Sequence, residues 1–442
     1  MPLVKPSLII LFLFPFLTLT VGEELQLSRE EIIAQLAPYD GPSVAGADVS
    51  TLAGKVVTGY QGWFGAPGDG AARGWVHLGR GGRFAPGACS IEIWPDLSEL
   101  PKKDRFSTDF RCADGSVAEM FSSYRKSTVQ LHFQWMQEYG IDGALVQRFA
   151  NEVRDSKALN QRNTVLRNAR EAANRRGRGY ALMYDLSGLS SDNFQQAIDD
   201  WKMLVDRMKL GRDPRDRAYL KHNGKPLVAV WGIGFNDDRK YTLADCEKFI
   251  DLLKDDPVYG GNTVMLGVPY HFREQKGDTE NNPDLHRVLL KADILSPWSV
   301  GRFDADRSAE DMQKKALVPD IAWCAQKKKE YLPVIWPGFS WHNLRAGQAK
   351  FDQIPRQKGE FIWKQAVAAK QAGATMLYVA MFDEMDEATA IFKTTNTPPI
   401  GESPFLKEEG IGSDHYLWLT GEIGKMLRGK LPAATPAPER KR

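Results

Sequence analysis

The stretch "IDGALVQRFANEVRDSKALNQRNTVLRNAREAANRRGRGYALMYDLSG", residues 141–188, decides how this 442-residue chain folds. Its ends, "IDGALVQRF" (141–149) and "GYALMYDLSG" (179–188), are short apolar runs, and a helix-length segment rich in Arg and Ala lies between them. Strands that are apolar nearly throughout are covered on both faces, and parallel strands need a crossover long enough to hold a helix. The stretch therefore reads as a β-α-β unit.

The same unit recurs in both directions. "KVVTGYQGWF" (55–64) comes before it, with the helical "SYRKSTVQLHFQWMQEYG" (123–140) between. After it come "KPLVAVWGIG" (225–234), "NTVMLGVPYHF" (262–272), "ADILSPWSVG" (292–301), "YLPVIWPGFSW" (331–341) and "TMLYVAMFDE" (375–384), each behind a helical segment. A final amphipathic helix, "YLWLTGEIGKMLRG", covers 416–429. Eight strands alternating with eight helices predict a (β/α)8 TIM barrel over 46–429, with a long insertion after the first strand at 61–118. The rival is an open doubly wound sheet. It calls for a G-x-G-x-x-G turn into a helix after the first strand, which "GYQGWFGAPGDG" (59–70) does not supply. Residues 23–45, with "LSREEIIAQLAPY", read as an N-terminal helical segment beneath the barrel, and the Pro/Ala-rich 430–442 as a disordered tail.

Charge and composition narrow the partners. With 58 basic and 56 acidic residues and no sustained basic stretch outside "PERKR" (438–442), nucleic-acid binding has no electrostatic support. "MPLVKPSLIILFLFPFLTLTVGEE" (1–24) reads as a secretory signal peptide over 1–22, cleaved near Gly22. Its apolar run is short and interrupted by Pro15, so no stable membrane insertion is expected once it is removed. The mature protein is expected to be secreted or periplasmic. None of the four cysteines has metal-ligand spacing, and no metal or cofactor is called for. In an exported chain Cys89 and Cys112 could pair across a loop, whereas Cys246 and Cys324 read as buried thiols.

Barrel enzymes build their sites where the strands end. Those positions here hold Tyr60, Gln61 and Trp63; Gln147 and Arg148; Tyr184 and Asp185; Trp231; Tyr270 and His271; Trp298; Trp336, Trp341 and His342; and Asp383, Glu384, Asp386 and Glu387. Flat aromatic faces suit sugar C–H faces and carboxylates suit sugar hydroxyls, so a polysaccharide or oligosaccharide is the expected partner. Several positions have a structural reading as well. Asp185 suits a helix N-cap, Arg148 a carboxylate pair, His271 a loop carbonyl. Asp142 suits a tight loop below the barrel and His132 a packed helix face.

"YVAMFDEMDEATAIF" (378–392) places four carboxylates directly behind the last strand. They form either a solvated loop or a catalytic pair. In a helical turn Glu384 and Glu387 would share a face, with Cβ atoms about 5–6 Å apart; in an extended chain they would point opposite ways. A glycosidase needs one carboxyl as acid and another as nucleophile or base. Crowding raises at least one pKa and keeps an acid protonated near neutrality.

Together "VVTGYQGWFGAPGDG" with "GWVHLG", "YGIDGALVQRF", "GKPLVAVWGIG" and "YVAMFDEMDEATAIFK" resemble glycoside hydrolase families 99 and 71 over most of 50–400. The resemblance maps the E-x-x-E motif of family 99 onto Glu384 and Glu387, followed by Ala388 and Thr389. It implies that Glu384 assists the substrate's own 2-hydroxyl, through an anhydro-sugar intermediate. Glu387 would then be the general acid/base, with net retention. It also implies that Tyr60 and His77 line the substrate site. Where the family has Asn, Trp and His, this chain has Asp383, Met385 and Asp386, which alters a sugar-facing wall. The expected activity is hydrolysis of an α-linked polysaccharide or oligosaccharide. A family 71-like inverting α-glucanase using Asp185 and a non-catalytic carbohydrate-binding barrel are the alternatives.

Overall fold

A computed structural model describes residues 27–306 and 309–440; the expected signal peptide lies outside them. Parallel strands follow one another around a single sheet: β1 (Val56–Tyr60), β4 (Gly143–Phe149), β5 (Gly179–Asp185), β7 (Lys225–Trp231), β8 (Thr263–Pro269) and β9 (Ile294–Trp298). The next stave is broken into β10 (Glu330–Tyr331) and β11 (Val334–Ile335). β10 pairs with β9, whereas β11 pairs with β12 (Leu377–Val379), which pairs in turn with β1. The break falls at Leu332-Pro333, where proline has no N–H to give to the ladder. The Pro333 carbonyl still accepts from Tyr378 N at 3.0 Å, and the Leu332 N–H donates to Leu295 O at 2.9 Å. Eight staves thus close into a (β/α)8 barrel. The short β6 (Lys221–His222) pairs antiparallel with the start of β7, and β2 (Phe106–Arg111) with β3 (Val117–Met120) makes a separate hairpin after β1.

Helices lie between the staves: α2 (Lys126–Glu138), α3 (Ser156–Arg176), α4 (Gln195–Met208), α5 (Leu243–Asp255), α6 (Leu285–Leu289), α8 (Val318–Gln326), α9 (Glu360–Gln371) and α10 (His415–Leu427). A short α1 (Arg29–Ala34) packs on α3, and a four-residue α7 (Ala309–Met312) runs through a π-turn, Gln313–Leu317, into α8. Local sequence explains the boundaries. α3 starts where the Asp155 carboxylate accepts from Ala158 N at 2.8 Å, and it ends at Gly177, left-handed at φ 58°. Thr242 and Asp245 cap α5 reciprocally.

Because strand side chains alternate between faces, some of the strand-end candidates face the helices instead of the mouth. Four expected substrate-binding residues are corrected on this ground. Arg148 sits in the helical layer, its Nε and Nη2 each 2.5 Å from the Asp200 carboxylate of α4, with Asn163 of α3 at 3.0 Å. The Tyr184 hydroxyl donates to the same carboxylate at 2.7 Å. Tyr60 is hydrogen-bonded to His132 Nδ1 of α2 at 2.9 Å, and its ring lies among Phe133 and Phe382. Trp336 is buried against Phe361 of α9, with ring centroids 4.7 Å apart.

Two further expectations are revised. Cys89 and Cys112 are unpaired thiols. Residues 430–440, expected to be disordered, lie against α9 and α10. There Trp363 Nε1 donates to Ala434 O, and Arg440 bonds Asp414 while stacking over Trp418. Two indoles, Trp363 and Trp418, and the Asp414 carboxylate provide what a Pro/Ala-rich tail lacks for ordering itself.

The Arg148–Asp200 pair is fully enclosed, so removing one partner strands the other's charge. Arg148→Met should lower stability in urea by about 3–5 kcal/mol, and adding Asp200→Leu should recover most of that loss. A cost below about 1 kcal/mol for the single change, the range of an exposed pair, would show that the site admits water.

Candidate active site

The acidic run at the end of β12 is no solvated loop. Asp383, Glu384 and Asp386 are 0%, 4% and 4% exposed, and Glu387 is half-buried. Past β12 the chain folds back on itself between β11 and β1. Ala380 N donates to Ile335 O, Phe382 N to Gly59 O, and Met381 N to Thr389 O. A turn over Met385–Ala388, closed by Ala388 N to Met385 O and ending with Ala388 left-handed at φ 58°, presents the carboxylates in sequence.

Each carboxylate has its own surroundings. Asp383, an expected substrate-binding residue, is instead a strut: its two oxygens accept from the backbone N–H groups of Gln61 and Gly62 at 2.7 and 2.9 Å. Gly62 allows this by standing at φ 57°, and a Cβ there would lie 2.5 Å from Val165. Burial outweighs those donors and pushes the Asp383 carboxyl up to about 7. Glu384 accepts from Gln61 Nε2 at 2.8 Å and from the Thr389 hydroxyl at 3.0 Å. Burial, then the charges of Glu387 and Asp386, push it well above the carboxylate range. Burial and the Asp386 charge raise Glu387 to about 7, opposed by the Trp341 indole and by Arg302 and Arg345. Asp386 has one oxygen 3.8 Å from His77 Nδ1, while the other is enclosed without a donor.

Around this turn the mouth is aromatic. Trp63 stacks on His77 at 4.0 Å with an 8° tilt, and on Phe149 at 5.1 Å. His77 is left-handed at φ 60°, an unfavourable conformation for histidine that the stack holds in place. Trp231 packs against Phe235 and edge-on to Trp298, with the Arg239 guanidinium 5.0 Å above its ring. Gln147 lies within 3.5 Å of the Tyr378 hydroxyl, and its own carbonyl has no donor. Asp185 accepts from Ser187 N at 2.7 Å, which shapes the turn after β5 without capping a helix. Tyr270 and His271 stand further along the rim, their backbone N–H groups held by Asp278. Trp63, His77, Gln147, Asp185, Trp231, Glu384 and Glu387 thus gather at the mouth. Asp142, by contrast, lies at the base, accepting from Val56 N and Arg428.

Sequence reasoning passed over Glu92. This buried residue of the insertion accepts from Ser340 Oγ at 2.7 Å and from Asn343 N at 2.5 Å, while its own N–H donates to Met385 O at 2.9 Å. Ser340 N in turn donates to Glu387 O at 3.1 Å. Glu92 therefore clamps the segment bearing Trp341 against the acidic turn. The one available signal was a lone Glu between Ile91 and Ile93, where an apolar run admits charge only if it is paired. Among the described residues, no group of three or more His, Cys, Asp or Glu side chains is arranged to hold a metal ion.

Replacing Asp383 tests its role as a strut. Asp383→Asn leaves one of the two backbone N–H donors facing an amide NH2, so a loss of about 1–3 kcal/mol is expected. Unchanged thermal unfolding would place the tie between β1 and β12 elsewhere.

No family model matches the sequence, and no curated protein matches it. Among solved structures the fold is similar to the GH99 endo-alpha-mannosidase from Bacteroides thetaiotaomicron, with a TM-score of 0.60 at 16% identity over 86% of this chain and 99% of that one. The same enzyme in complex with bis-tris-propane gives 0.61 at 15% identity, over the same shares of the two chains. A glycoside hydrolase-like protein gives 0.52 at 12% identity, covering 90% of this chain and 99% of its own. At such identities what is shared is the backbone: the chain has the barrel fold of a GH99-like glycoside hydrolase.

Proposed function

We propose that the protein is an exported glycoside hydrolase acting on an α-linked polysaccharide or oligosaccharide with net retention. The observation that carries this reading is the enclosed pair Glu384 and Glu387 at the end of the last stave. Burial and repulsion among the carboxylates keep a proton shared by the pair near neutral pH. In the reactive arrangement that proton rests on Glu387, and Glu384 is ionised, its oxygens stabilised by the Gln61 and Thr389 donors. Glu387, the more exposed of the two and backed by Trp341, gives its proton to the departing glycosidic oxygen. Glu384, oriented by Gln61 and Thr389, takes the proton of the sugar's 2-hydroxyl as that oxygen closes on the anomeric carbon. Water then opens the anhydro sugar with the proton transfers reversed, so configuration is retained. Trp231 and Trp298, both only partly buried, offer ring faces for neighbouring sugar units, and Trp63 backs the wall through its stack with His77. The fold likeness to the GH99 endo-alpha-mannosidase supports the class of reaction.

The non-catalytic carbohydrate-binding barrel is the second reading, and one observation favours it: both oxygens of Glu384 are already taken by protein donors. An inverting reaction through Asp185 has less support, since that carboxylate is committed to the Ser187 backbone.

Screening wild type beside Glu384→Gln and Glu387→Gln on α-linked glycans separates these readings. Hydrolysis by wild type with a fall of about 10²–10⁴-fold in each variant, glycan binding being kept, is expected. Binding without turnover across the panel would favour the non-catalytic barrel. The pH dependence has a definite sign. With Glu387 near 7, activity should fall as pH rises through 7. Its folded value exceeds the ordinary 4.5, so the folded state holds a proton that the unfolded chain releases. The contribution of Glu387 to stability is thus fully present below about 4.5 and is lost as pH rises toward 7. Melting curves over that window should differ between wild type and Glu387→Gln, and coincident curves would show that Glu387 titrates normally.

A further inference from the structure

Three buried acceptors near Glu384 have no donor among the described residues: Gln61 Oε1, Gln147 Oε1 and one oxygen of Asp386. Their residues are 6%, 7% and 4% exposed, and each side chain is engaged by its other end. Gln61 gives its amide NH2 to Glu384 at 2.8 Å, so its carbonyl stands next to that carboxylate. The Gln147 NH2 lies 3.3 Å from Met183 Sδ and 3.5 Å from the Tyr378 hydroxyl. That hydroxyl is within electrostatic reach of Glu384: burial, then the Glu384 charge, push it up. Asp386 stands two residues past Glu384 in the same turn, its second oxygen 3.8 Å from His77 Nδ1. Staves one, two and eight thus each bring one unpaired acceptor to the surroundings of the same carboxylate.

An enclosed oxygen without a donor costs about 1–3 kcal/mol, so a ligand that supplies donors here relieves a cost the unliganded protein carries. The nearby cations do not supply them. Arg302 bonds Asp278 at 2.7 Å, and Arg345 lies 4.7 Å above the Trp341 ring. Unpaired donors stand at the mouth as well: the indole N–H groups of Trp63 and Trp231 are enclosed without an acceptor. The ligand must therefore accept as well as donate. A hydroxyl does both, whereas an ammonium group only donates and a carboxylate or sulfate only accepts.

We propose that Gln61, Gln147 and Asp386 read the hydroxyls of the sugar unit seated over Glu384, so that the substrate presents a neutral sugar with free hydroxyls at that unit. The assignment rests on the carbohydrate reading of the mouth and narrows it, because O-alkylated and sulfated glycans lack the donors. Gln147 is the specificity-determining member: it is bonded to neither glutamate, and its amide meets only a thioether and a hydroxyl at 3.5 Å. For stability alone leucine would serve better there, since it removes the unpaired carbonyl and gives up only those weak contacts.

Binding by the full chain to α-mannan and to dextran, each also in O-methylated and in sulfated form, is measured beside thermal unfolding. At least one unmodified glycan should bind more tightly than both of its derivatives. In Gln147→Leu that glycan should bind about tenfold more weakly, its margin over the methylated form should narrow, and the melting temperature should be equal or higher. Asp386→Asn, which keeps an acceptor oxygen, should retain more binding than Asp386→Ala. Unchanged binding by Gln147→Leu, or equal affinity for free and methylated glycan, overturns the proposal. So does a Gln147→Leu protein that melts lower and binds every probe more weakly by the same factor, which would mark the amide as structural. Turnover indifferent to methylation sinks the hydroxyl reading and spares the hydrolase. Binding that depends on Gln147 and on free hydroxyls, with no turnover of any probe, does the reverse.

Discussion

The Asp383 carboxylate, accepting from two successive backbone N–H groups of the loop after β1, is the tie on which the mouth of this barrel depends. It joins the first stave to the segment leaving the last, at the seam where the sheet closes. Everything chemically notable hangs from that seam. Gln61, fixed through its own N–H, turns its amide to Glu384; Gly62 takes the left-handed conformation that lets the second N–H point inward. The acidic turn then follows with little freedom, because its backbone is bonded to β11 on one side and β1 on the other.

From the opposite side the insertion completes the enclosure. Glu92 holds Ser340 and Asn343 while its backbone holds Met385, so three segments distant in sequence meet around the carboxylates. Such enclosure has an electrostatic consequence. Carboxylates removed from water favour their neutral form, and each further carboxylate nearby strengthens that preference. The aromatic wall of Trp63, His77 and Phe149 lowers the local polarity further. The upward shift of these carboxyls is thus a property of the packing, and the residue types alone would not have produced it.

The outer layer follows a different rule. Arg148, Asp200 and Tyr184 make a fully enclosed polar cluster between strands and helices, where ion pairs add little net stability but fix which helix sits over which strand. α4 is located by that cluster, and with it the loop after β5 that carries Asp185 and Ser187. Scaffold and mouth therefore draw on adjacent residues of the same strand. Gln147 belongs to the one and Arg148 to the other.

That adjacency marks the boundary between what sequence and tertiary structure decide. Apolar runs such as 143–149 and 179–185, set between helix-length segments, were enough to give the eight-stave barrel and to put the acidic run of 383–387 at its mouth, because period and length are local properties. The same reading could not tell Gln147 from Arg148, or Trp231 from Trp336, since the face a strand-end side chain takes depends on stagger and closure between distant strands. Nor could it find Glu92, whose partners lie some 250 residues away in the chain. The ordering of 430–440 was equally out of reach, because it rests on Trp363, Trp418 and Asp414 as brought together by α9 and α10. Sequence by itself determined the fold and the carboxylates in the acidic run. Only the tertiary structure decided which of them is a strut and how deeply each is enclosed, because burial and partner geometry arise from contacts between segments far apart along the chain.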